Sequence, residues 1–359
     1  MRILHMIPDI GISNGVTSVI LNYAKAMPDT IKFDIVYFIP TDQTRKSEIE
    51  ALGGRVYKVD TPSPKSMLEG KIKTFFKEHS GEWQALHIHG PHFAVFFAPF
   101  AKYADIKSVY VHCHSSVYSL IGSQHINHLL SLYAKYFIKN KLSCSKDAGQ
   151  FWYGNKDFRV LNNAIDCKAL EYSNSKREQI RTQMNLENAF IVGHIGRTDI
   201  PQKNHSFLFK VFAEIKKQKD NAVLMLAGAD ERTELMALAK QLEIENSVFF
   251  LGVRSDIDKL CSAFDVFIFP STNEGLPLSV IEAQASGLSV LMSDTVTDEV
   301  CVTDSISKMS LEDSPKNWAD RAVEISLSER VSSYEAMKKS GWDIYDAAAE
   351  LAELYRSNV

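Results

Sequence analysis

A single motif organises this chain: Pro270-Ser-Thr-Asn-Glu-Gly-Leu-Pro-Leu-Ser-Val-Ile-Glu-Ala-Gln-Ala-Ser-Gly287. It follows the mostly apolar run 265–269, which predicts a fully buried β-strand. Pro270 ends that strand, a loop with Gly and Pro follows, and the apolar residues after Ser279 predict a buried helix that stops near Gly287. Where a strand, a loop and a helix N-terminus follow one another, backbone N–H groups and the helix dipole attract phosphate.

Two glutamates frame the motif, Glu274 in the loop and Glu282 in the helix. One interpretation is the acid/base pair of a glycosidase, whose carboxyls lie roughly 5–9.5 Å apart. Eight residues of continuous helix would span about 12 Å, but Gly275 and Pro277 make the segment irregular, so spacing leaves this open. A second interpretation is a nucleotide-sugar site, in which Glu282 accepts hydrogen bonds from ribose and Glu274 holds sugar hydroxyls. The structural alternative gives neither residue a functional role: Glu274 is then a carboxylate near the helix N-terminus, and Glu282 is a solvated residue of the helix.

The motif resembles the Glu-x7-Glu signature of the retaining glycosyltransferases of family 4, the group 1 glycosyltransferases. Glu274 and Glu282 stand at the two glutamate positions, and the Gly-Leu-Pro-Leu that follows Glu274 is also typical. The resemblance covers nearly the whole chain and is greatest to bacterial enzymes that build capsular, exo- or O-polysaccharides. It implies an α/β protein of GT-B fold, with two Rossmann-like, doubly wound domains facing a central cleft and a C-terminal helix that crosses back to the first domain.

Length and charge fit this organisation. The chain has 359 residues, more than one hydrophobic core usually serves, so two domains are expected. We predict an acceptor-binding domain at 1–166 with the last helix at 342–359, and a nucleotide-sugar-binding domain at 167–341. The net charge of −4 argues against nucleic acid as a partner. Residues 1–165 carry 19 Lys+Arg and 13 Asp+Glu, whereas the remainder carries 21 and 31, so the first half is expected to meet something anionic.

Cysteine usage and hydropathy favour a reducing compartment. The five cysteines are scattered, and no Cys-x-x-Cys spacing indicates a disulfide framework or a zinc site. The N-terminus predicts a short strand instead of a signal peptide, and no apolar run approaches the roughly 20 residues of a membrane span. We therefore expect a cytoplasmic protein, at most peripheral at the inner face of the membrane.

The chain opens with a predicted strand at 2–7, a glycine-containing loop and a helix from Val19 to Met27. This is the first unit of a doubly wound domain, with ligand space at the carboxyl end of the strand. Members of the family often have Gly-Gly in this loop, and here Asn14-Gly15 stands in its place. Asn14 tolerates positive φ better than most residues, so the resemblance implies substrate contacts at Asn14 and Gly15. An ordinary tight turn is the alternative.

Histidines gather at two strand ends: His87, His89, His92, His112 and His114. A metal site is one interpretation, but no carboxylate pattern accompanies them, and they come from adjacent strands whose alternate residues face opposite ways. We therefore predict no metal. In the family a histidine-bearing segment at such a strand end reaches the donor's sugar. His114 matches that position best, which implies a catalytic role for it beside Glu274, whereas His112 is interpreted as a structural residue of the strand.

The second domain repeats the pattern with a strand that ends in Gly196-Arg197, followed by Lys203 before a helix. A planar guanidinium and an ammonium point charge together suit a diphosphate, and the resemblance implies that Arg197 and Lys203 bind the donor's phosphates. Two solvated surface cations are the alternative. The resemblance also places the backbone amides of Gly275, Leu276 and Leu278 at the diphosphate, and Val253 and Arg254 at the nucleobase.

The predicted activity is retaining transfer of a sugar from a nucleotide diphosphate donor, expected to be a UDP-sugar, to a saccharide acceptor that is lipid-linked. Neither a cofactor nor a metal is implied. Three other classes stay open: a nucleotide-sugar epimerase of the same fold, a non-catalytic nucleotide-sugar-binding protein, and a dehydrogenase, which would need a glycine fingerprint that this chain lacks.

Two stretches interleave basic and apolar residues, 65–77 and 128–142. Basic amphipathic helices bind anionic membrane surfaces, so such a surface is a further predicted partner. A core-packed helix with a solvated basic edge is the alternative.

Overall fold

The computed structural model describes residues 1–12, 14–115, 123–198, 200–228 and 230–358. It divides into two compact units, residues 1–166 with 341–359 and residues 167–340. Each unit is a parallel sheet with helices packed on it, as expected when strands and helices alternate along a chain. Within the described ranges no helix is both long and apolar enough to cross a bilayer.

The first unit has a seven-stranded parallel sheet in the order β3-β2-β1-β4-β5-β6-β7. Its strands are β1 Arg2–Met6, β2 Lys32–Tyr37, β3 Val56–Lys58, β4 Ala85–His89, β5 Ser108–Cys113, β6 Asn140–Ser143 and β7 Arg159–Val160. Its helices are α1 Gly15–Ala26, α2 Lys46–Ala51, α3 Pro64–Leu68, α4 Lys71–Glu78, α5 Ala94–Phe97, α6 Gln124–Phe137, α7 Lys146–Tyr153 and α16 Ile344–Ser357. Asp34 is the charged residue buried in the central strands, and it accepts from Trp83 Nε1 at 2.8 Å and pairs with Arg2.

The second unit has a six-stranded parallel sheet in the order β10-β9-β8-β11-β12-β13. Its strands are β8 Phe190–Ile195, β9 Ala222–Ala227, β10 Val248–Phe250, β11 Val266–Phe269, β12 Val290–Ser293 and β13 Ile306–Met309. Its helices are α8 Cys167–Leu170, α9 Asn174–Gln183, α10 His205–Gln218, α11 Thr233–Gln241, α12 Ile257–Ala263, α13 Leu278–Ala285, α14 Pro315–Ile325 and α15 Tyr334–Lys339. Continuous apolar runs at β9 and β11 suit strands buried on both faces.

The C-terminal helix α16 belongs to the first unit. Tyr355 is fully buried, and its hydroxyl lies 2.6 Å from Nδ1 of His87 in β4. Tyr110 of β5 donates from its hydroxyl to the carbonyl of Leu354 at 2.8 Å. The helix therefore covers one face of the first sheet through specific polar contacts as well as apolar burial.

Two predicted helices are wrong in extent. The stretch 65–77 is not one helix but falls in two, α3 and α4, because Gly70 between them adopts a left-handed φ of 73°. The stretch 128–142 is not one amphipathic helix, since α6 ends at Phe137 and β6 begins at Asn140. Leu142 therefore lies in a buried strand and not on a basic helix.

Candidate functional site

The loops after β8 and β11 meet at the carboxyl edge of the second sheet. The two strands are neighbours, with Val192 opposite Val266 in the register. The Thr272 amide donates to the carbonyl of Gln202 at 2.8 Å, and the Ser271 hydroxyl lies 2.7 Å from the same oxygen. These bonds fasten one loop to the other at the edge where parallel α/β sheets bind ligands.

The two loops bring Lys203 and Glu274 together. Lys203 Nζ lies 2.9 Å from Glu274 Oε1, and the two side chains are only 16% and 17% exposed. Ser271 Oγ is 2.8 Å from the same carboxylate oxygen, and the ammonium lies 4.7 Å from the ring centre of Phe269. Arg197 follows β8 by two residues and is exposed. A fixed ammonium, a fixed carboxylate and an exposed guanidinium thus belong to the same pair of loops.

Gly196 and two histidines form the floor beneath Lys203. A Cβ at Gly196 would lie 3.1 Å from Lys203 Cδ and 2.8 Å from His194 Nε2, so only glycine lets the lysine side chain lie here. His194 Nδ1 donates to the carbonyl of Ile268 at 2.8 Å, and its ring centre is 4.9 Å from that of His205. Burial lowers the pKa of both histidines, to about 4 for His205, so they add no positive charge at neutral pH.

The sequence analysis missed Gly196, Ser271, His194 and His205 as parts of this site. The signal for Gly196 was present, since the Gly-Arg pair at the end of a predicted strand marks a close backbone approach. Ser271 gave none, because its role depends on a contact with Gln202, 69 residues away in the chain.

Helix α13 begins at Leu278 after the N-cap Pro277, and no side chain caps it. Within the described residues the amides of Gly275, Leu276 and Leu278 donate no backbone hydrogen bond, so they remain open to an acceptor. Glu282 lies one turn into the helix and is partly buried, and burial raises its pKa to about 7. Glu274 lies in the loop, so a single continuous helix does not join the two glutamates.

The predicted nucleobase residues lie after β10. Val253 is 64% exposed, and the Arg254 guanidinium holds Asp256 through two hydrogen bonds of 2.8 and 2.7 Å. Gly252 precedes them with a φ of 60°. The Arg254 side chain is therefore held by a neighbouring carboxylate.

Asn14 differs from the conformation that the sequence analysis expected. Its φ is −79° and it is the N-cap of α1, with Oδ1 accepting from the amides of Val16 at 2.9 Å and Thr17 at 3.2 Å. Its amide nitrogen donates to Asp9 Oδ2 at 2.8 Å. Asn14 thus replaces a glycine by capping the helix, not by adopting positive φ. Gly15 is the exposed first residue of α1, and a Cβ there would meet open space.

The histidines of the first sheet share one face, which contradicts our argument that adjacent strands would turn them apart. His5 of β1 pairs with His87 of β4, and His89 of β4 pairs with His112 of β5. Because His87 and His89 are two residues apart in the same strand, all four side chains lie on one face of the sheet. The four are buried, and His114 follows the end of β5. Alternation separates residues one apart, whereas His-x-His pairs stay on the same side.

His114 makes contacts at both ring nitrogens. Its Nε2 lies 2.7 Å from His89 Nδ1, and its Nδ1 lies 3.0 Å from Asn163 Oδ1. Burial lowers the pKa of His114 to about 4, so its ring is neutral at pH 7. Residues 116–122, which follow in the predicted His-bearing segment, lie outside the described residues.

Comparisons with known proteins agree with this architecture. The model of the family described as glycosyl transferases group 1 matches residues 176–341. The chain is 27% identical to EpsF of Bacillus subtilis strain 168 over 99% of this chain and 96% of that protein. It is 31% identical to a Campylobacter jejuni N,N'-diacetylbacillosaminyl-diphospho-undecaprenol alpha-1,3-N-acetylgalactosaminyltransferase, over 51% of this chain and 46% of that protein.

Among solved structures, Anabaena Alr3699/HepE in complex with UDP superposes with a TM-score of 0.81 at 20% identity, covering 99% of this chain and all of that one. At this identity the likeness establishes the fold, which is GT-B. The family model over residues 176–341 and the relatives show that this chain is similar to the group 1 glycosyltransferases, family 4.

Proposed function

We propose that this chain transfers a sugar, with retention at the anomeric carbon, from a UDP-sugar to a lipid-linked saccharide in bacterial surface polysaccharide synthesis. The observation that carries the proposal is the Lys203–Glu274 pair, 2.9 Å apart beside the open N-terminus of α13. UDP in the Anabaena structure supports the choice of nucleotide. The diphospho-undecaprenol in the name of the Campylobacter relative supports a lipid-linked acceptor.

The diphosphate would bind at the paired loops of the second unit. Lys203 has three N–H donors, so it can keep Glu274 and still donate to a phosphate oxygen. Arg197 and the amides of Gly275, Leu276 and Leu278 would add donors aimed at the same charge. Such fixed donors act most strongly when negative charge grows on the leaving group, and removing one typically costs roughly 3–4 kcal/mol of activation free energy.

The two glutamates would hold the rest of the donor. Glu282 would accept hydrogen bonds from the ribose hydroxyls, because it lies one turn behind the proposed phosphate loop. Glu274, already fixed by Lys203 and Ser271, would orient the hydroxyls of the sugar. Val253 and Arg254 would border the nucleobase, mainly through their backbone.

The reaction needs no covalent nucleophile from the protein. In a front-face displacement the bond from the anomeric carbon to the diphosphate breaks as the acceptor oxygen bonds to that carbon. The acceptor's proton passes to the leaving phosphate oxygen. His114 would contact the sugar through its ring and steady positive charge at the anomeric carbon through its backbone carbonyl. Asn14 and Gly15 would contact the substrates from the start of α1, and the acceptor would bind the first unit.

Helix α6 would attach the protein to an anionic membrane surface. Ile126, Leu129, Tyr136 and Phe137 are more than half exposed and follow one helical face. Lys135 and Lys139 accompany them. Exposed apolar residues beside lysines are typical of helices that lie in the membrane interface.

One experiment separates the proposed activity from its rivals. The purified protein is incubated with UDP-, GDP- and ADP-sugars, each with and without an undecaprenyl-diphosphate-linked saccharide, while free nucleotide and product sugars are measured. A transferase releases UDP in proportion to acceptor consumed. An epimerase converts the donor without acceptor, a binding protein gives thermal stabilisation without turnover, and a dehydrogenase requires a nicotinamide cofactor. Any of these last three results would refute the proposal.

A further inference from the structure

Three histidines and an asparagine of the first unit are joined in a row. His5 Nδ1 lies 2.9 Å from His89 Nε2, His89 Nδ1 lies 2.7 Å from His114 Nε2, and His114 Nδ1 lies 3.0 Å from Asn163 Oδ1. His5, His89 and Asn163 are at most 6% exposed. His114, at the end of β5, is only partly buried. The row therefore runs from the core of the sheet to the strand end where the sugar is proposed to bind.

One direction of donation satisfies every contact in the row. Burial keeps the pKa of all three histidines far below its usual value, so each ring has one donor and one acceptor nitrogen at pH 7. Because Asn163 Oδ1 only accepts, His114 donates from Nδ1 and accepts at Nε2. His89 and then His5 must donate from Nδ1 in turn. The remaining nitrogen, His5 Nε2, is then a bare acceptor, and it is buried without a hydrogen-bond partner in the described part of the chain.

We propose that His5, His89 and Asn163 are positioning residues that hold the His114 ring in one orientation and keep its proton on Nδ1. This inference rests on the role proposed above for His114. A sugar hydroxyl that accepts from the ring would do so at Nδ1, sharing its N–H with Asn163 Oδ1. His89 excludes the other tautomer, because its own N–H occupies Nε2 of His114.

A transition-metal site is the competing use of these rings. His5, His87 and His89 form one group of possible ligands, and His89, His112 and His114 form another, with nitrogens within 4.8 Å of one another. Neutral imidazole is a common metal ligand. However, a metal at either group would have to displace a histidine–histidine hydrogen bond that the structure shows, so the observations favour positioning.

The first test compares two substitutions of His89. His89→Asn keeps a side-chain N–H close to the place of Nδ1, whereas His89→Phe keeps the size of the ring and removes the donor. With a UDP-sugar and the lipid-linked acceptor, we expect kcat to fall about tenfold or more in His89→Phe and to be largely restored in His89→Asn. KM for the UDP-sugar should change little in either variant. His87→Phe is the matched control, since His87 is equally buried in the same strand and bonds to Tyr355, outside the row.

The second test is the pH profile of Asn163→Asp. A carboxylate beside His114 favours its protonated form and raises the pKa of the ring. In that variant kcat should fall as the pH falls through the new pKa, because a protonated ring can no longer accept from His89. At saturating UDP-sugar, the kcat of the wild type and of His87→Phe should show no such fall between about pH 6 and 8, since the ionisation of Glu282 acts on donor affinity.

The outcomes separate this inference from the proposed function. If His114→Ala abolishes turnover while His89→Phe and Asn163→Asp behave as the wild type, the positioning role is refuted and the role of His114 stands. If His114→Ala turns over normally, the proposed role of His114 is refuted with it. Stoichiometric zinc, nickel or copper in the purified protein, lost in His89→Phe, would replace the positioning row by a metal site.

Discussion

Glu282 should make donor binding depend on pH. Burial raises its pKa to about 7, so the carboxylate that accepts from ribose is lost as the pH falls below that value. We expect the Kd of a UDP-sugar to rise by up to about tenfold per pH unit below 7 in the wild type, and to stay nearly constant in Glu282→Gln. Calorimetric titration at pH 6 and 8 measures this, with a UDP-sugar as ligand because its diphosphate diester does not titrate in that range.

The same glutamate can be tested with a 2′-deoxyribose donor. If Glu282 holds ribose, the wild type binds the deoxy donor more weakly than the normal donor. Glu282→Ala should bind the two donors with nearly equal affinity, because the residue that senses the 2′-hydroxyl is gone. Simple addition of the two losses in binding free energy would mean that Glu282 acts elsewhere.

Alanine substitutions of His112 and His114 should have different effects, the first on stability and the second on turnover. His112 is 2% exposed within β5, so His112→Ala is expected to lower the melting temperature and leave the kcat of the folded fraction nearly intact. His114→Ala should lower kcat strongly and leave UDP affinity near that of the wild type. A stable His112→Ala protein without turnover, beside an active His114→Ala, would place the functional histidine two residues earlier.

At the residue scale the sequence predicted candidates better than it predicted their surroundings. Glu274, Glu282 and Arg197 came directly from local pattern. The Lys203–Glu274 ion pair and the Ser271 contacts did not, because they join residues about 70 positions apart. The histidine face was predictable, since two His-x-His pairs on neighbouring strands imply one surface, and our alternation argument overlooked this.

At the element scale α6 carries the membrane prediction. Leu129 and Phe137 are 65% and 74% exposed on the helix, so Leu129→Glu with Phe137→Glu should abolish flotation with anionic vesicles. Leu327→Glu is the control, because Leu327 is 78% exposed in the other unit. Binding should weaken with salt as the lysine attraction is screened. Equal flotation of the double variant and the wild type would show that α6 is not the membrane surface.

Elements with apolar periodicity or clear caps were predictable, and elements without them were not. Ser145 caps α7, accepting from the amide of Ala148 at 3.1 Å, and a serine before a helical run is a common N-cap signal. Strand β13 was missed because Ile306-Ser-Lys-Met309 is a half-buried edge strand without a continuous apolar run. The strand is defined by its parallel pairing with β12, which the local sequence does not reveal.

At the scale of the whole molecule, buried neutral histidines should govern acid stability. Eight histidines have a pKa lowered by burial: His5, His87, His89, His92, His112, His114, His194 and His205. Below pH 6.5 these histidines bind protons in the unfolded chain but stay neutral in the folded chain, so the free energy of unfolding falls as the pH falls. Each such histidine contributes about 1.4 kcal/mol per pH unit down to its folded pKa.

Urea titrations at pH 7.5 and 5 measure this dependence. His87→Phe should reduce the pH slope by the contribution of one histidine, apart from its effect on stability at pH 7.5. If the free energy of unfolding fell equally in the variant and the wild type between pH 7.5 and 5, His87 would take up its proton in the folded protein as it does in the unfolded chain.

The division into two sheets was predictable from length and from the strand–helix alternation that restarts near residue 190. The order of the strands was not, because β1 lies between β2 and β4 through pairings that span up to 82 residues of chain. Membership of α16 in the first unit came from the family resemblance, since its own sequence indicates only a terminal amphipathic helix.

The central claim is that the Lys203 loop binds the diphosphate of a nucleotide-sugar donor, and one pair of variants tests it most directly. Acceptor-dependent UDP release is measured for Lys203→Ala and for Lys210→Ala, which removes an exposed lysine from α10 of the same unit. Losing one fixed donor to the leaving group should lower kcat/KM by about two to three orders of magnitude in Lys203→Ala. Lys210→Ala should match the wild type, and both variants should keep the wild-type melting temperature within a few degrees. Wild-type turnover by a stably folded Lys203→Ala protein would contradict the account.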